Sequence, residues 1–188
     1  FFSNNYKGRK QGEIVYFAIN AGNQSGNAGP AGSFEVMALD PSGTGSLRQI
    51  GELPFQMDVA SPAAMYDVGK IVIMDHVGDL WYMDINGDAP QFTYAADLGG
   101  DRNNSDMTVL PDGRLLINGG TTTGNSQSQS DAIFESVIFD PYSGEVTTVD
   151  SEAVMRLYHS SSVLLSDGTI LSMGGGGLDS TIDMMDAQ

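Results

Sequence analysis

Short apolar runs alternate along this chain with clusters of Gly, Asp, Asn and Pro, and no segment carries convincing helical periodicity. Met107-Thr-Val-Leu-Pro-Asp-Gly113 followed by Arg114-Leu-Leu-Ile-Asn-Gly-Gly120 predicts a strand, a Pro-Asp-Gly turn, a second strand and a glycine stop. Ser162-Val-Leu-Leu-Ser-Asp-Gly168 followed by Thr169-Ile-Leu-Ser-Met-Gly-Gly175 repeats that unit. The turn glycines Gly113 and Gly168 lie 55 positions apart (168 − 113), and Gly120 maps on Gly175 at the same spacing. A weaker copy runs from Ala63 to Met74.

A second unit alternates with the first. Phe34–Gly43, Leu80–Gly87 and Val137–Gly144 each read as an apolar strand, an Asp turn and the start of a more polar strand. Two hairpins in each period of roughly 45–55 residues match a four-stranded propeller blade of kelch-like length. Apolar runs such as Leu115-Leu116-Ile117 suit strands covered on both faces, between neighbouring blades. The expected fold is therefore all-β, made of kelch-like β-propeller blades. Residues 1–188 read as one partial propeller domain of about three blades, too few to close a ring. Simple sandwich repetition is the plainer alternative. Two polar stretches, Asn20–Pro30 and Thr121–Ser130, read as loops between strands.

Composition narrows the functional classes. With 24 acidic against 8 basic side chains, the formal charge of −16 repels nucleic acid and anionic membranes. Cysteine is absent, which excludes disulfides and thiolate metal sites within these residues. No apolar run approaches the length needed to span a bilayer. Phe1-Phe2-Ser3-Asn4 has no basic region before it, and the chain reads as though it starts and stops in mid-sequence.

The most distinctive chemistry lies at Arg156-Leu157-Tyr158-His159-Ser160, just before the second glycine-turn hairpin and the run Gly174–Gly177. A phenol oxygen and an imidazole nitrogen are donors that suit Cu(II). Adjacent residues of a regular strand face opposite ways, so the two can share an ion only if the chain enters the strand irregularly. The polar Ser160-Ser161-Ser162 run is expected to supply that entry by bonding to local backbone. A plain strand-capping role for Tyr158 and His159 is the alternative.

Arg156-Leu-Tyr-His-Ser160, Leu164-Leu-Ser-Asp-Gly168, Gly174–Gly177 and the closing Asp186-Ala187-Gln188 together resemble the galactose oxidase and glyoxal oxidase family of copper radical oxidases. The likeness is best over residues 63–188 and includes Arg102, Val109–Gly113 and Gly119-Gly120 in the preceding unit. It implies a seven-bladed kelch-like propeller with a following β-sandwich. It also implies oxidation of a primary alcohol, aldehyde or carbohydrate by O2 to give hydrogen peroxide, in a secreted or extracellular protein. By position, Tyr158 would be the axial tyrosine that accepts the substrate proton, and His159 an equatorial copper ligand. The remaining ligands and the Tyr-Cys radical cofactor would lie outside these residues, in upstream blades and the C-terminal sandwich, so the rest of the same protein is the implied partner. His76 matches no family ligand and reads as a loop histidine. The family's Arg-x-Phe-His pattern stands here as Arg102-Asn103-Asn104-Ser105, without the aromatic that can wall the pocket.

The rival reading is a non-catalytic extracellular propeller for glycan binding or surface assembly. Acidic groups at Asp97–Asp106 and Asp179–Asp183 read as solvated turns, with a calcium loop as the alternative. Gly174–Gly177 lacks the lysine and helix of a phosphate loop, and Ser160–Ser162 lacks the nucleophile-elbow pattern.

Overall fold

The structure is a computed structural model and describes residues 2–3, 12–19, 34–58, 60–124 and 129–175. The expected loop at Asn20–Pro30, Gly176-Gly177, the acidic group Asp179–Asp183 and the terminal Asp186-Ala187-Gln188 lie outside the described residues. The regular elements among the described residues are β-strands apart from a 3-10 turn at Gln129–Asp131.

Strands β1 (Phe2–Ser3), β2 (Ile14–Ile19), β3 (Phe34–Asp40) and β4 (Ser46–Glu52) form one antiparallel sheet in chain order. Strands β5 (Ala63–Asp67), β6 (Lys70–Met74), β7 (Asp79–Asp84) and β8 (Gln91–Asp97) form a second. A third contains β9 (Asn103–Val109), β10 (Leu115–Thr121), β11 (Glu135–Asp140) and β12 (Glu145–Ser151), and a hairpin of β13 (Ser160–Leu164) and β14 (Ile170–Gly174) follows it. The first strands stack side by side, β5 against β9 and β9 against β13. This meander of up-and-down sheets, first strands innermost, is a propeller arrangement.

The predicted turns recur with the same geometry. Gly113 N–H donates to Leu110 O at 3.0 Å and Gly168 N–H to Leu165 O at 3.0 Å. Both glycines are left-handed, at φ 88° and 86°, a region glycine enters without a Cβ clash. The turn aspartates do local work too. Asp112 Oδ1 accepts from Arg114 N–H at 3.1 Å, Asp140 Oδ1 from Tyr142 N–H at 2.8 Å and Asp167 Oδ1 from Thr169 N–H at 3.0 Å. These bonds hold all three carboxyls below the usual aspartate range, Asp112 and Asp140 chiefly through the backbone donors and Asp167 through the Thr169 hydroxyl first.

Packing follows the two-residue period of a strand. In β6, Ile71 and Ile73 enter one core with Val15, Phe34, Val36 and Met83. Val72 and Met74 enter the other with Leu115, Ile117, Val137 and Phe139. The second sheet is thus covered on both faces, and its central strand reads as a continuous apolar run for that reason. In β10, Leu115 and Ile117 are fully buried whereas Leu116 is half-buried.

Candidate copper-ligand turn

The chain crosses from the third sheet to the hairpin through a segment fixed at both ends. Arg156 and Leu157 are fully buried. The Arg156 guanidinium donates from Nε to Ser172 Oγ (3.2 Å), from Nη1 to Gly174 O (2.8 Å) and from Nη2 to Ser172 O (3.2 Å). Its own carbonyl accepts from Gly120 N–H of the preceding sheet at 2.7 Å. Gly119 must be glycine for this approach: a Cβ there would lie 2.8 Å from Arg156 O and 2.9 Å from Arg156 Cβ. The glycine stop of one unit therefore seats the arginine of the next. In the sheet before it, Arg102 has the matching role, donating to Ile117 O at 3.0 Å and to Glu135 O. Burial lowers the pKa of Arg102 from its ordinary value, with Glu135 and Glu152 opposing the shift.

Immediately after Leu157 the backbone reverses. Ser160 N–H donates to Leu157 O at 2.9 Å, closing a β-turn with Tyr158 and His159 at its corners. His159 is left-handed at φ 64° while Tyr158 is not, the sign pattern of a type II turn. Histidine visits this region more readily than most residues, though less freely than glycine. The irregular entry required for the pair to act together is thus a backbone turn. The serines contribute differently from the expectation: Ser160 Oγ donates to Asp106 Oδ2 at 3.1 Å and Ser162 Oγ to Asn118 Oδ1 at 3.0 Å, on neighbouring strands rather than on local backbone.

The turn brings the two side chains together. The rings of Tyr158 and His159 stack with centroids 3.7 Å apart and 28° between planes. Tyr158 is half-buried and His159 exposed. Phenol and imidazole on one side of the chain fit a portion of a Cu(II) coordination set. Among the described residues no group of three or more His, Cys, Asp or Glu could hold a metal by itself. His76 lies in the β6–β7 turn, where its Nδ1 is 3.2 Å from Gln56 O.

Strand register aligns the turn with the preceding sheet. Ser105 pairs with Gly119 as Ser160 pairs with Gly174, so left-handed Asn104, at φ 60°, corresponds to His159 rather than to Tyr158. The two arginines are only 54 positions apart (156 − 102), one fewer than the strands they precede. The segment carrying Tyr158 is one residue longer, and that residue makes room for the phenol-bearing corner.

Beneath the turn lies a polar network that sequence reading missed. Ser172 Oγ donates to Glu152 Oε1 at 2.6 Å, and Asn118 Nδ2 donates to the same oxygen at 3.0 Å. Asp106, on β9, has its carboxyl pushed up by burial, with the Ser160 hydroxyl opposing and Glu152 adding to the shift. Asn118 and Ser172 stand on β10 and β14, Glu152 follows β12 and Asp106 lies on β9, so these residues meet only where the third sheet packs on the hairpin, which one sequence does not display. At the other end of the Asp97–Asp106 group, Asp97 Oδ1 accepts from Gly99 N–H at 2.6 Å.

The family described as glyoxal oxidase N-terminus matches residues 66–183. The chain belongs to the glyoxal oxidase N-terminus family. Two galactose oxidases of Gibberella zeae are 31% identical over 168 residues, covering 78% of this chain and 25% of theirs. A solved structure described as a novel fungal alcohol oxidase with catalytic diversity among the AA5 family, in complex with copper, is 26% identical. It superposes with a TM-score of 0.69 over 79% of this chain and 36% of its own. The structure of YjhT, 14% identical, shares the fold at a TM-score of 0.62 over 82% of this chain and 49% of its own. The glyoxal oxidase relationship and the propeller fold read from the sequence are both borne out. This member spans about a quarter of the length of its galactose oxidase relatives. The kinship is to copper radical oxidases, and it does not favour the non-catalytic rival.

Proposed function

We propose that this chain is the portion of a secreted copper radical oxidase that supplies Tyr158 and His159 to the metal, within a kelch-type propeller of which it forms about three blades. The observation that carries the reading is the Leu157–Ser160 turn, which stacks phenol on imidazole inside the segment matched by the glyoxal oxidase family. The substrate is a primary alcohol, aldehyde or carbohydrate. In the alcohol case two electrons and two protons pass to O2, giving an aldehyde and hydrogen peroxide.

Copper, when bound, supplies one-electron redox and Lewis-acid chemistry. Tyr158 Oη holds the proton taken from the substrate hydroxyl, acting as a general base beside the ion. His159 offers neutral imidazole as a ligand, its ring aimed by the left-handed corner and by the face of Tyr158. The remaining donors and the Tyr-Cys radical cofactor come from the rest of the protein.

The test is copper content together with peroxide release from primary alcohols and aldehydes, measured on the intact protein carrying this chain. Tyr158→Phe is expected to retain copper and lose on the order of a hundred-fold in kcat, the scale of a general base. His159→Ala is expected to lose copper. A parent protein that binds no copper, or a Tyr158→Phe variant with unchanged turnover, rules the reading out.

A further inference from the structure

The Tyr158–His159 corner is costly to hold. His159 has left-handed backbone, and such strain persists only where the surroundings fix it. Backbone supplies some of the restraint. Leu157 O is taken by Ser160 N–H, and Gly175 N–H points at His159 O from 3.4 Å. Gly174 also lies so close that a Cβ there would stand 2.9 Å from His159 O. Among the hydrogen bonds at this corner, one runs from side chain to side chain: Ser160 Oγ donates to Asp106 Oδ2 at 3.1 Å, across from β13 to β9.

The preceding sheet offers a comparison. Ser105 stands in the register position of Ser160, paired with the first glycine of its stop, and its hydroxyl is buried with no partner among the described residues. The residue ahead of it is Asn104, which accepts left-handed backbone readily and carries no adjacent tyrosine. So the serine of this register is latched to a carboxylate where the corner holds histidine, and is left unlatched where the corner holds asparagine. Sheet formation alone does not require the bond, because β9 and β10 pair without its equivalent.

We propose that Asp106 is a positioning residue for the metal-ligand pair. Its carboxylate accepts the Ser160 hydroxyl, closes the turn against β9 and so fixes the directions of Tyr158 and His159. This inference deepens the copper oxidase reading and rests on it for its purpose. The role needs an acceptor oxygen at residue 106 and does not need a charge. Groups that orient metal ligands from behind commonly change metal affinity by about ten- to a hundred-fold when removed.

The experiment compares Asp106→Ala, Asp106→Asn, Ser160→Ala and the Asp106→Ala/Ser160→Ala double variant in the intact protein. The first measurement is metal-free: hydrogen exchange of the residue-160 amide, corrected for intrinsic rate, which reports opening of the turn. Losing one such bond is expected to speed exchange about five- to ten-fold in each alanine variant, with the double variant no faster than either single. Asp106→Asn, whose amide oxygen still accepts, is expected within about two-fold of the parent. The second measurement is Cu(II) affinity by chelator competition, expected to weaken about ten-fold in the alanine variants and to hold in Asp106→Asn. Parent-like exchange in Asp106→Ala overturns the proposal, as does Asp106→Asn exchanging as fast as Asp106→Ala. Unchanged copper affinity in the alanine variants also overturns it. If the parent binds no copper while exchange follows the expected order, the positioning of the turn stands and the oxidase reading falls. Should Asp106→Ala fail to fold, Ser160→Ala removes the same bond from the β13 side and decides the matter.

Discussion

At the scale of single residues, His159 carries two separable burdens, the ligand nitrogen of the proposed function and a left-handed backbone. Replacing it with glycine removes the nitrogen and relieves the backbone. The relief is on the order of 1 kcal/mol, offset by glycine's greater freedom in the unfolded chain. His159→Gly is therefore expected to unfold within about 1 kcal/mol of the parent. His159→Ala keeps the strained corner and should be less stable than the glycine variant by about 1 kcal/mol. Urea denaturation of the two side by side checks the ordering, and both should fail to hold copper. Asp106 makes the complementary case, with pH as the variable. Burial raises its folded-state pKa above the unfolded value. The stability tied to this group is fully present below the unfolded value of about 3.9 and is lost as pH rises through the raised folded value. At neutral pH the ionised carboxylate then costs stability, and Asp106→Asn should unfold at higher denaturant than the parent. The gap should close as pH falls below about 3.9, where both side chains are neutral. A midpoint difference that persists there contradicts the assignment to burial.

Among the elements, the glycine stops bear on function more directly than their sequence suggests. Gly119 and Gly168 are both left-handed, but only Gly119 faces a wall, the backbone and Cβ of Arg156. A Cβ at Gly168 meets nothing within 4 Å. Gly168→Ala should thus cost only the conformational penalty, about 1–2 kcal/mol. Gly119→Ala should cost about 3 kcal/mol or more, because strain and overlap add. It should also weaken copper binding by shifting Arg156 just ahead of the ligand turn. Unfolding midpoints and copper titration of the two variants separate the effects. The hairpins themselves were legible in the sequence, since Pro111-Asp112-Gly113 and Ser166-Asp167-Gly168 state their turns locally. Tyr158 and His159 stood out as chemistry for the same reason. Illegible were the partners that seat them: Asp106 lies 54 positions from Ser160 and Gly120 lies 36 from Arg156, so each contact exists only once two sheets pack. The extra residue ahead of Ser160 shows in the sequence only as a difference of one between the 54-residue arginine spacing and the 55-residue glycine spacing, and strand register fixes where it falls.

For the molecule as a whole, the question is how tightly the fold depends on the copper of the proposed function. Among the described residues two cores lie between successive sheets, one joining Val15, Phe34 and Val36 to Ile71 and Ile73, the other joining Val72 and Met74 to Leu115 and Phe139. Neither draws on Tyr158 or His159, and His159 is exposed. Burial of these side chains, each worth roughly 1.5–3 kcal/mol, holds the sheets in register without an ion. The candidate ligand turn is likewise held by protein bonds: Ser160 N–H to Leu157 O closes it, Ser160 Oγ to Asp106 ties it to β9, and Arg156 just ahead is held by Gly120, Ser172 and Gly174. Stripping copper from the intact protein with a chelator is therefore expected to leave the far-UV circular dichroism of the β-sheets unchanged. The melting temperature should fall only by the mass-action contribution of the lost ligand, and should recover as copper is added back in proportion to the logarithm of its free concentration. A zinc-finger-like collapse on chelation would mean that the metal builds the turn. Retention of sheet signal, with parent-like exchange at the residue-160 amide, would mean that packing builds the turn and presents a preformed pair of donors to the ion.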